Sequence, residues 1–286
     1  SQGSLYFVDE FNGGGIYKYT AIEPNSPNAL IEGQTFVLKD TDVSDGADIG
    51  SAVWEPLTDA DGNALAGVTD PFTITARDLR PGRTAANDVG ATNYFRPEDI
   101  EINTLANGNE VLYVAATTTD EVFSIELSGN DSVFVREFVT DMTIDAATGL
   151  GVDSPGDIFE NPDNLAIDAD GNIYILEDSS TGDIWRAEDA DNDGVAESIG
   201  RWASLRVAGA EPTGLFFDPF NSDVAYVNVQ HPLSGNDNLV QITVVPEPPS
   251  VLLILAGSVS FLVLRQRPPL SVIGFPLIHP VHDAAD

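Results

Sequence analysis

The sequence predicts an all-β protein, because short strand-like segments recur along it and no long stretch shows the 3.6-residue period of a helix. Four segments share one pattern, in which an apolar residue and a tyrosine open a strand that leads through a polar turn into a second strand. Their tyrosines are Tyr6, Tyr113, Tyr174 and Tyr226. Two short strands joined by a polar turn indicate a β-hairpin.

Three of these hairpins are preceded by a similar segment: FRPEDIEI begins at Phe95, NPDNLAID at Asn161 and EPTGLFFD at Glu211. Each contains a proline, two polar or small residues, and then an apolar strand. The tyrosines of these three units lie 61 and 52 residues apart. Four-stranded units of about 40–50 residues are typical of β-propeller blades, to which loop insertions add length.

Repeat length therefore predicts a β-propeller of five to six four-stranded blades over residues 1–244, incomplete at its N-terminus. Residues 20–94 follow the repeat poorly and are interpreted as blades with long surface loops. A β-sandwich is the alternative fold. Residues 245–267 form a separate hydrophobic segment, predicted as a C-terminal helix, and residues 268–286 are predicted to be an unstructured tail.

The composition excludes several partners and kinds of metal site. There are 46 acidic and 12 basic residues, a formal net charge of -34, which repels nucleic-acid backbones and excludes nucleic acid as a partner. The absence of cysteine excludes disulfides and thiolate metal sites, and three histidines argue against a histidine-rich zinc or copper centre. Many carboxylates instead suit hard cations such as Ca²⁺, although a solvated acidic face is the alternative explanation.

The repeats also predict where the chemistry lies. In a propeller, residues at matching offsets of different blades converge on the central channel, so two rings of oxygen ligands are expected. The metal ligands predicted from the two rings are Glu10, Glu98, Asp163, Asn164, Glu177, Asp178 and Glu211. Crowded carboxylates repel one another unless a cation binds.

Arg96 is the predicted catalytic residue, because a planar guanidinium suits a phosphate group. Simpler explanations stay open at three of these places. Arg96 could pair with Glu98, Glu211 could cap a turn, and Asp163 with Asn164 could form an Asx-turn.

A second metal signal lies in residues 187–200. Asp189, Asp191 and Asp193 alternate there and Gly194 follows, as in the first half of an EF-hand calcium loop. The twelfth position is glycine rather than glutamate, so Glu197 would have to complete the site. The alternative is a polar hairpin turn.

The C-terminal region has its own motif. Pro246-Glu247-Pro248 precedes the apolar run 251–264, and Arg265 and Arg267 follow it. This order resembles a PEP-CTERM sorting signal of exported bacterial proteins. The resemblance implies export to the periplasm, cell surface or medium, an exosortase-type sorting machinery as partner, and transient membrane contact through residues 251–264 alone.

The segments YFVDEFNGGGIYKY, FRPEDIEI, PDNLAIDADGNIYILED and EPTGLFFDPFNSDVAYVNVQHP resemble the PhoX-type alkaline phosphatases. The resemblance implies a six-bladed propeller that hydrolyses phosphomonoesters outside the cytoplasm, with calcium and an Fe³⁺ pair as cofactors. It also implies Glu98, Glu177 and Glu211 as metal ligands, with Glu10. Two alternatives remain: a calcium-dependent lactonase-like hydrolase, and a non-catalytic, calcium-stabilised surface or matrix protein.

Overall fold

The computed structural model describes residues 3–41, 48–129, 131–152, 159–179, 182–233 and 235–243. These residues belong to one compact unit, Ser1–Val245. The predicted sorting segment, the C-terminal helix and the tail after residue 267 lie outside the described residues. Among the described residues, no helix has the length and apolarity needed to cross a membrane.

The described residues form an all-β fold with one short α-helix, α1 (Pro81–Asp88), and one 3-10 turn, Thr117–Thr119. The strands, in chain order, are β1 (Ser4–Val8), β2 (Asn12–Gly14), β3 (Ile16–Ala21), β4 (Gly33–Asp40), β5 (Gly50–Pro56), β6 (Tyr94–Phe95), β7 (Pro97–Thr104), β8 (Glu110–Ala116), β9 (Glu121–Leu127), β10 (Ser132–Val139), β11 (Ile144–Asp145), β12 (Pro162–Ile167), β13 (Ile173–Glu177), β14 (Asp183–Glu188), β15 (Ser198–Ser204), β16 (Glu211–Phe217), β17 (Val224–Gln230) and β18 (Asn238–Thr243).

The strands are organised as four antiparallel meanders, in which each strand pairs with the next. The first contains β1, β3, β4 and β5, the second β7 to β10, the third β12 to β15, and the fourth β16 to β18. The first two meanders join through β5 and β10 into one eight-stranded sheet, and β11 adds to the third in parallel with β15. The short strands β2 and β6 pair separately.

The first strands of the four meanders lie next to one another in chain order. β7 contacts both β1 and β12, and β12 contacts β16 as well. Three of these strands carry the repeated proline segment predicted from the sequence, with Pro97, Pro162 and Pro212 in their first two positions. Three of the four first strands therefore bring the same sequence motif to one end of the fold.

The described chain has four meanders where repeat length predicted five to six blades. The difference lies in residues 57–93, which contain α1 and a succession of turns but none of the strands β1 to β18. Asp59 accepts the backbone N–H of Asn63 at 2.8 Å, and Asp70 accepts that of Phe72 at 3.0 Å. Aspartates that satisfy nearby backbone donors in this way favour turns over strand ladders.

Apolar side chains fill the space between successive meanders. Each of the three largest buried clusters combines side chains from two neighbouring meanders, with members such as Trp54 and Phe123, Phe138 and Trp185, or Tyr174 and Val227. Burying one such large side chain stabilises the fold by about 1.5–3 kcal/mol. The packing fixes each meander against the next and so fixes the positions of the first strands.

Candidate metal centre

The ends of the first strands share an irregular backbone. The pairing register shifts just after the proline in three meanders, between Pro97 and Ile100, between Pro162 and Asn164, and between Thr213 and Phe216. A β-bulge of this kind turns the side chains next to it in new directions. The bulges therefore explain how acidic residues in apolar strands face a common space rather than the core.

The residues before two of these prolines have left-handed backbones. The φ angle is 62° at Arg96 and 50° at Asn161. This conformation costs a residue such as arginine roughly 1–2 kcal/mol, whereas asparagine tolerates it better, and such strain is concentrated at functional sites.

The common space is a cavity of about 810 Å³. It is lined by six acidic residues, one arginine and a few neutral residues: Glu10, Glu98, Asp99, Asp163, Asp178, Glu211, Arg96, Asn164, Gly209, Gln230 and His231. All of the predicted ring residues except Glu177 thus meet at one place together with Arg96, and Glu177 is discussed below. So many acids beside one arginine leave the cavity strongly negative.

Three of the carboxylates approach one another closely. One oxygen each of Asp163, Asp178 and Glu211 lie within 4.8 Å of one another. The bulge of β12 places Asp163, Asp178 follows β13, and Glu211 begins β16. Gln230 donates a hydrogen bond of 2.6 Å to Glu211 and holds its carboxylate in place.

The electrostatics of this group fit a cation. Asp163 is only 9% exposed, and burial raises its pKa to about 6, with further contributions from the charges of Glu211 and Asp178. Arg96 opposes that shift only in part. Carboxylate oxygens gathered in this way are the ligands that Ca²⁺ and other hard cations prefer, and a bound cation would remove the repulsion.

Arg96 lies beside this group in an ion pair. Its Nε is 2.6 Å from Glu98 Oε1, and its Nη2 is 3.6 Å from Glu10 Oε1. Burial, followed by the charge of Asp163, raises the pKa of Glu98 to about 7, against the opposing effect of Arg96. The arginine side chain is 37% exposed, so part of its guanidinium still faces the cavity.

A comparison with protein families adds an independent observation to this geometry. The family model described as alkaline phosphatase PhoX matches residues 1–233, which include all four meanders up to the end of β17. The chain belongs to the PhoX alkaline phosphatase family. No curated protein matches the chain.

Solved structures give more distant similarities. Virginiamycin B lyase from Staphylococcus aureus is 12% identical with a TM-score of 0.33, over 84% of this chain and 70% of the lyase. A luciferin-regenerating enzyme is 12% identical with a TM-score of 0.36, over 85% and 88%. The periplasmic gluconolactonase PpgL of Pseudomonas aeruginosa is 15% identical with a TM-score of 0.31, over 85% and 83%. Similarities this distant carry no conclusion about this PhoX family member.

Asn164 and Asp99 connect the meanders of this PhoX chain. Asp99 Oδ2 accepts the N–H of Leu165 at 2.9 Å, and Asn164 Oδ1 accepts the N–H of Gly214 at 2.9 Å and the hydroxyl of Thr213. Each residue stands two positions after its proline and bonds to the next first strand. Asn164 was predicted as a ligand; its amide group also donates to Asp163 Oδ2 at 3.0 Å, and so positions a carboxylate of the cavity.

Glu177 was also predicted as a ligand, but it lies outside the residues that line the cavity. It is fully buried and accepts hydrogen bonds from Glu160 N, Trp185 Nε1 and the Ser179 hydroxyl, at 2.9, 2.7 and 3.0 Å. Burial raises its pKa to about 8, although these donors oppose the shift. Glu177 faces Pro162 across the ladder, which directs it toward the protein interior.

The same register explains why further residues join the predicted ligands at the cavity. Pro162 pairs with Glu177 and Pro212 pairs with Val229, so Asp178 and Gln230, the next residues, occupy equivalent places. Gln230, His231 and Asp99 all line the cavity, although none was predicted as a ligand. Gln230 follows the partner of Pro212 across its hairpin, and Asp99 has the same offset from its proline as Asn164, so the repeat itself places both at the ends of the first hairpins.

The predicted calcium loop of the PhoX chain lies elsewhere, between β14 and β15. Oxygens of Asp189, Asp191 and Glu197 lie within 4.8 Å of one another. Asp193 instead accepts the N–H of Val195 at 2.9 Å. Calcium at this loop stays a prediction.

Proposed function

We propose that this protein is an exported, metal-dependent phosphomonoester hydrolase whose active site is the acidic cavity. The observation that carries the proposal is the convergence of Asp163, Asp178 and Glu211 beside Arg96, in a chain of the alkaline phosphatase PhoX family. The carboxylates supply a cation site, and the arginine supplies a phosphate ligand. A metal-dependent phosphatase can use both to hold one phosphate group.

Asp163, Asp178 and Glu211 would hold the metal, with Glu98 and Glu10 close by as further oxygen donors. An oxygen-only donor set suits Ca²⁺ and also Fe³⁺, the two ions that the family resemblance implies. When bound, such cations bind phosphate oxygens and stabilise the negative charge that develops during hydrolysis.

The chain's own residues bind and orient the substrate. Arg96 would donate hydrogen bonds to phosphate oxygens, since a guanidinium keeps further donors after pairing with one carboxylate. Glu98 Oε1 lies 2.6 Å from Arg96 Nε and so holds the guanidinium in place. The left-handed backbone of Arg96 determines the direction in which its side chain leaves the main chain. Asn164 and Gln230 orient Asp163 and Glu211 in the same way. Orientation of this kind lowers the cost of reaching the reactive geometry.

We further propose that the meanders are blades of a β-propeller. Their first strands lie next to one another with the cavity at one end, as inner strands do around a channel. We assign the protein to the periplasm or the cell surface. In that proposal, residues 245–267 are a PEP-CTERM-like signal for an exosortase-type machinery, and membrane contact is confined to residues 251–264.

Hydrolysis of p-nitrophenyl phosphate tests the proposal. We expect activity that a chelator abolishes and added calcium and iron restore. Arg96→Ala should lower kcat/KM by roughly 100-fold, as loss of one preorganised donor does in other enzymes. Arg77→Ala, which removes an exposed arginine that does not line the cavity, is the control.

Full activity in chelator would refute the metal dependence. Hydrolysis of a sugar lactone, with none of the phosphate ester, would favour the lactonase alternative. Absence of both activities and of bound iron would favour a non-catalytic surface or matrix protein.

A further inference from the structure

A group of cationic and aromatic side chains lies beside the acidic cavity; it consists of Phe11, Arg80 and Arg83 and is called the cationic ledge below. The guanidinium of Arg83 lies 3.7 Å from the centre of the Phe11 ring, and that of Arg80 lies 5.2 Å from the same ring. Two arginines thus stack on one ring in a chain of net charge -34, and Asp9 pairs with Arg83. Stacking on an aromatic ring leaves the edge of a guanidinium free to donate hydrogen bonds.

The ledge adjoins the cavity directly. Phe11 follows Glu10, which lines the cavity, and the carbonyl of Phe11 accepts the N–H of Arg96 at 3.2 Å. Arg96 is the residue assigned to the phosphate. A substrate whose phosphate contacts Arg96 would therefore extend its organic part past Glu10 onto the ledge or into solvent.

The two arginines of the ledge differ in what they can still bind. Arg83 donates two hydrogen bonds to Asp9, at 2.6 and 2.7 Å, and its side chain is 17% exposed. Arg80 is exposed and, within the part of the chain that the structure describes, forms no ion pair. Arg83 thus fixes the ring, and Arg80 retains its guanidinium donors for a ligand.

We propose that Arg80 binds a second negative charge on the organic part of the phosphate ester, so that the enzyme prefers esters with an anionic group at their far end. This inference rests on the proposed function. The six acids of the cavity repel such a group, whereas the exposed guanidinium on the ledge attracts it. Arg80 is therefore assigned as a specificity-determining residue, distinct from the phosphate ligand Arg96.

The test compares two esters of similar size, glucose 6-phosphate, whose sugar ring is uncharged, and 6-phosphogluconate, an open chain with a carboxylate at the end opposite its phosphate. In wild-type protein we expect the lower KM for 6-phosphogluconate. Arg80→Ala should raise the KM for 6-phosphogluconate roughly fivefold more than that for glucose 6-phosphate, the effect of losing one exposed ion pair. Sodium chloride at 0.5 M should reduce the preference of the wild type, because it screens exposed charges.

Two further variants define the effect. Arg80→Lys keeps the charge and should retain most of the preference, whereas Arg77→Ala removes a nearby exposed arginine and should leave both KM values at wild-type levels. Equal changes for both esters in Arg80→Ala, or no change, would overturn the inference. If the wild type hydrolyses neither these esters nor p-nitrophenyl phosphate, the proposed function fails. Calorimetry of 6-phosphogluconate binding to wild type and Arg80→Ala then decides the role of Arg80, and equal affinities would refute it.

Discussion

At the residue scale, Glu177 and Asp178 show how one position along a strand separates two kinds of carboxyl group. Glu177 is buried under three hydrogen-bond donors, and burial raises its pKa from 4.5 to about 8. Asp178 is exposed and faces the cavity with Asp163 and Glu211. Side chains alternate in direction along a strand, so neighbouring acids reach different environments.

The raised pKa of Glu177 predicts a dependence of stability on pH. Between about pH 4.5 and 8 the folded protein keeps a proton that the unfolded chain has released, so stability falls as pH rises through this window. Glu177→Gln keeps an acceptor for the same donors and removes the titration. Urea unfolding in chelator should show the wild type losing about 2–4 kcal/mol more than Glu177→Gln between pH 5 and pH 8.5.

Glu188→Gln provides the control, because Glu188 is 57% exposed in a surface pair with Arg186. Its unfolding should follow the wild-type dependence on pH. Parallel curves for the wild type and Glu177→Gln would show that Glu177 titrates at an ordinary pKa, and would contradict this account of its burial.

At the element scale, the first strands are held side by side through side chains in their bulges. Asp99 accepts two backbone donors, Ile100 N in its own strand and Leu165 N in β12, both at 2.9 Å. Asn164 makes the matching link from β12 to β16 through Gly214 N. These links determine the spacing of the carboxylates that face the cavity.

Removing one of these hydrogen bonds between first strands should destabilise the fold and also disturb the spacing of the cavity carboxylates. Asp99→Ala leaves the N–H of Leu165 without its acceptor, which should lower the free energy of unfolding by about 1–3 kcal/mol. Asp99→Asn keeps one acceptor oxygen and should lose less. Urea denaturation measures both, with Asp61→Ala as an exposed turn control. An Asp99→Ala protein as stable as the wild type would show that the link is dispensable.

The elements also show what the sequence could and could not predict. Hairpin spacing and the proline segments correctly predicted the strands around Tyr113, Tyr174 and Tyr226, because those segments alternate clearly and end in turn residues. The bulges were not predicted, since a one-residue shift in pairing leaves no mark in composition. That shift in pairing sets which residues of β13 and β17 lie opposite the prolines. Glu177 is therefore buried, whereas Asp178 and Gln230 line the cavity.

At the scale of the whole molecule, a net charge of -34 must be carried by a compact fold. Self-repulsion destabilises such a fold, and bound cations and salt both reduce it. Composition therefore predicted hard cations and excluded nucleic acid, but it could not predict how many meanders form. Residues 57–93 resemble blade sequence in length, yet hydrogen bonds from local backbone N–H groups to aspartates favour turns there.

Charge repulsion predicts a dependence of thermal stability on metal and salt. Saturating calcium should raise the midpoint of unfolding by about 5–10 °C over protein in chelator, the effect of roughly 3 kcal/mol from bound ligand in a domain of this size. Sodium chloride should raise the midpoint more in chelator than in calcium. Scanning calorimetry measures both effects, and identical midpoints with and without calcium would contradict the prediction.

The central claim is that Asp163 and Glu211, brought together from β12 and β16, hold a metal that hydrolysis requires. Elemental analysis of purified wild type and of the Asp163→Asn, Glu211→Gln double variant tests it most directly, since both substitutions keep side-chain volume and remove charge. We predict that the variant loses bound metal relative to the wild type, together with phosphatase activity. Equal metal content in the two proteins would contradict the claim.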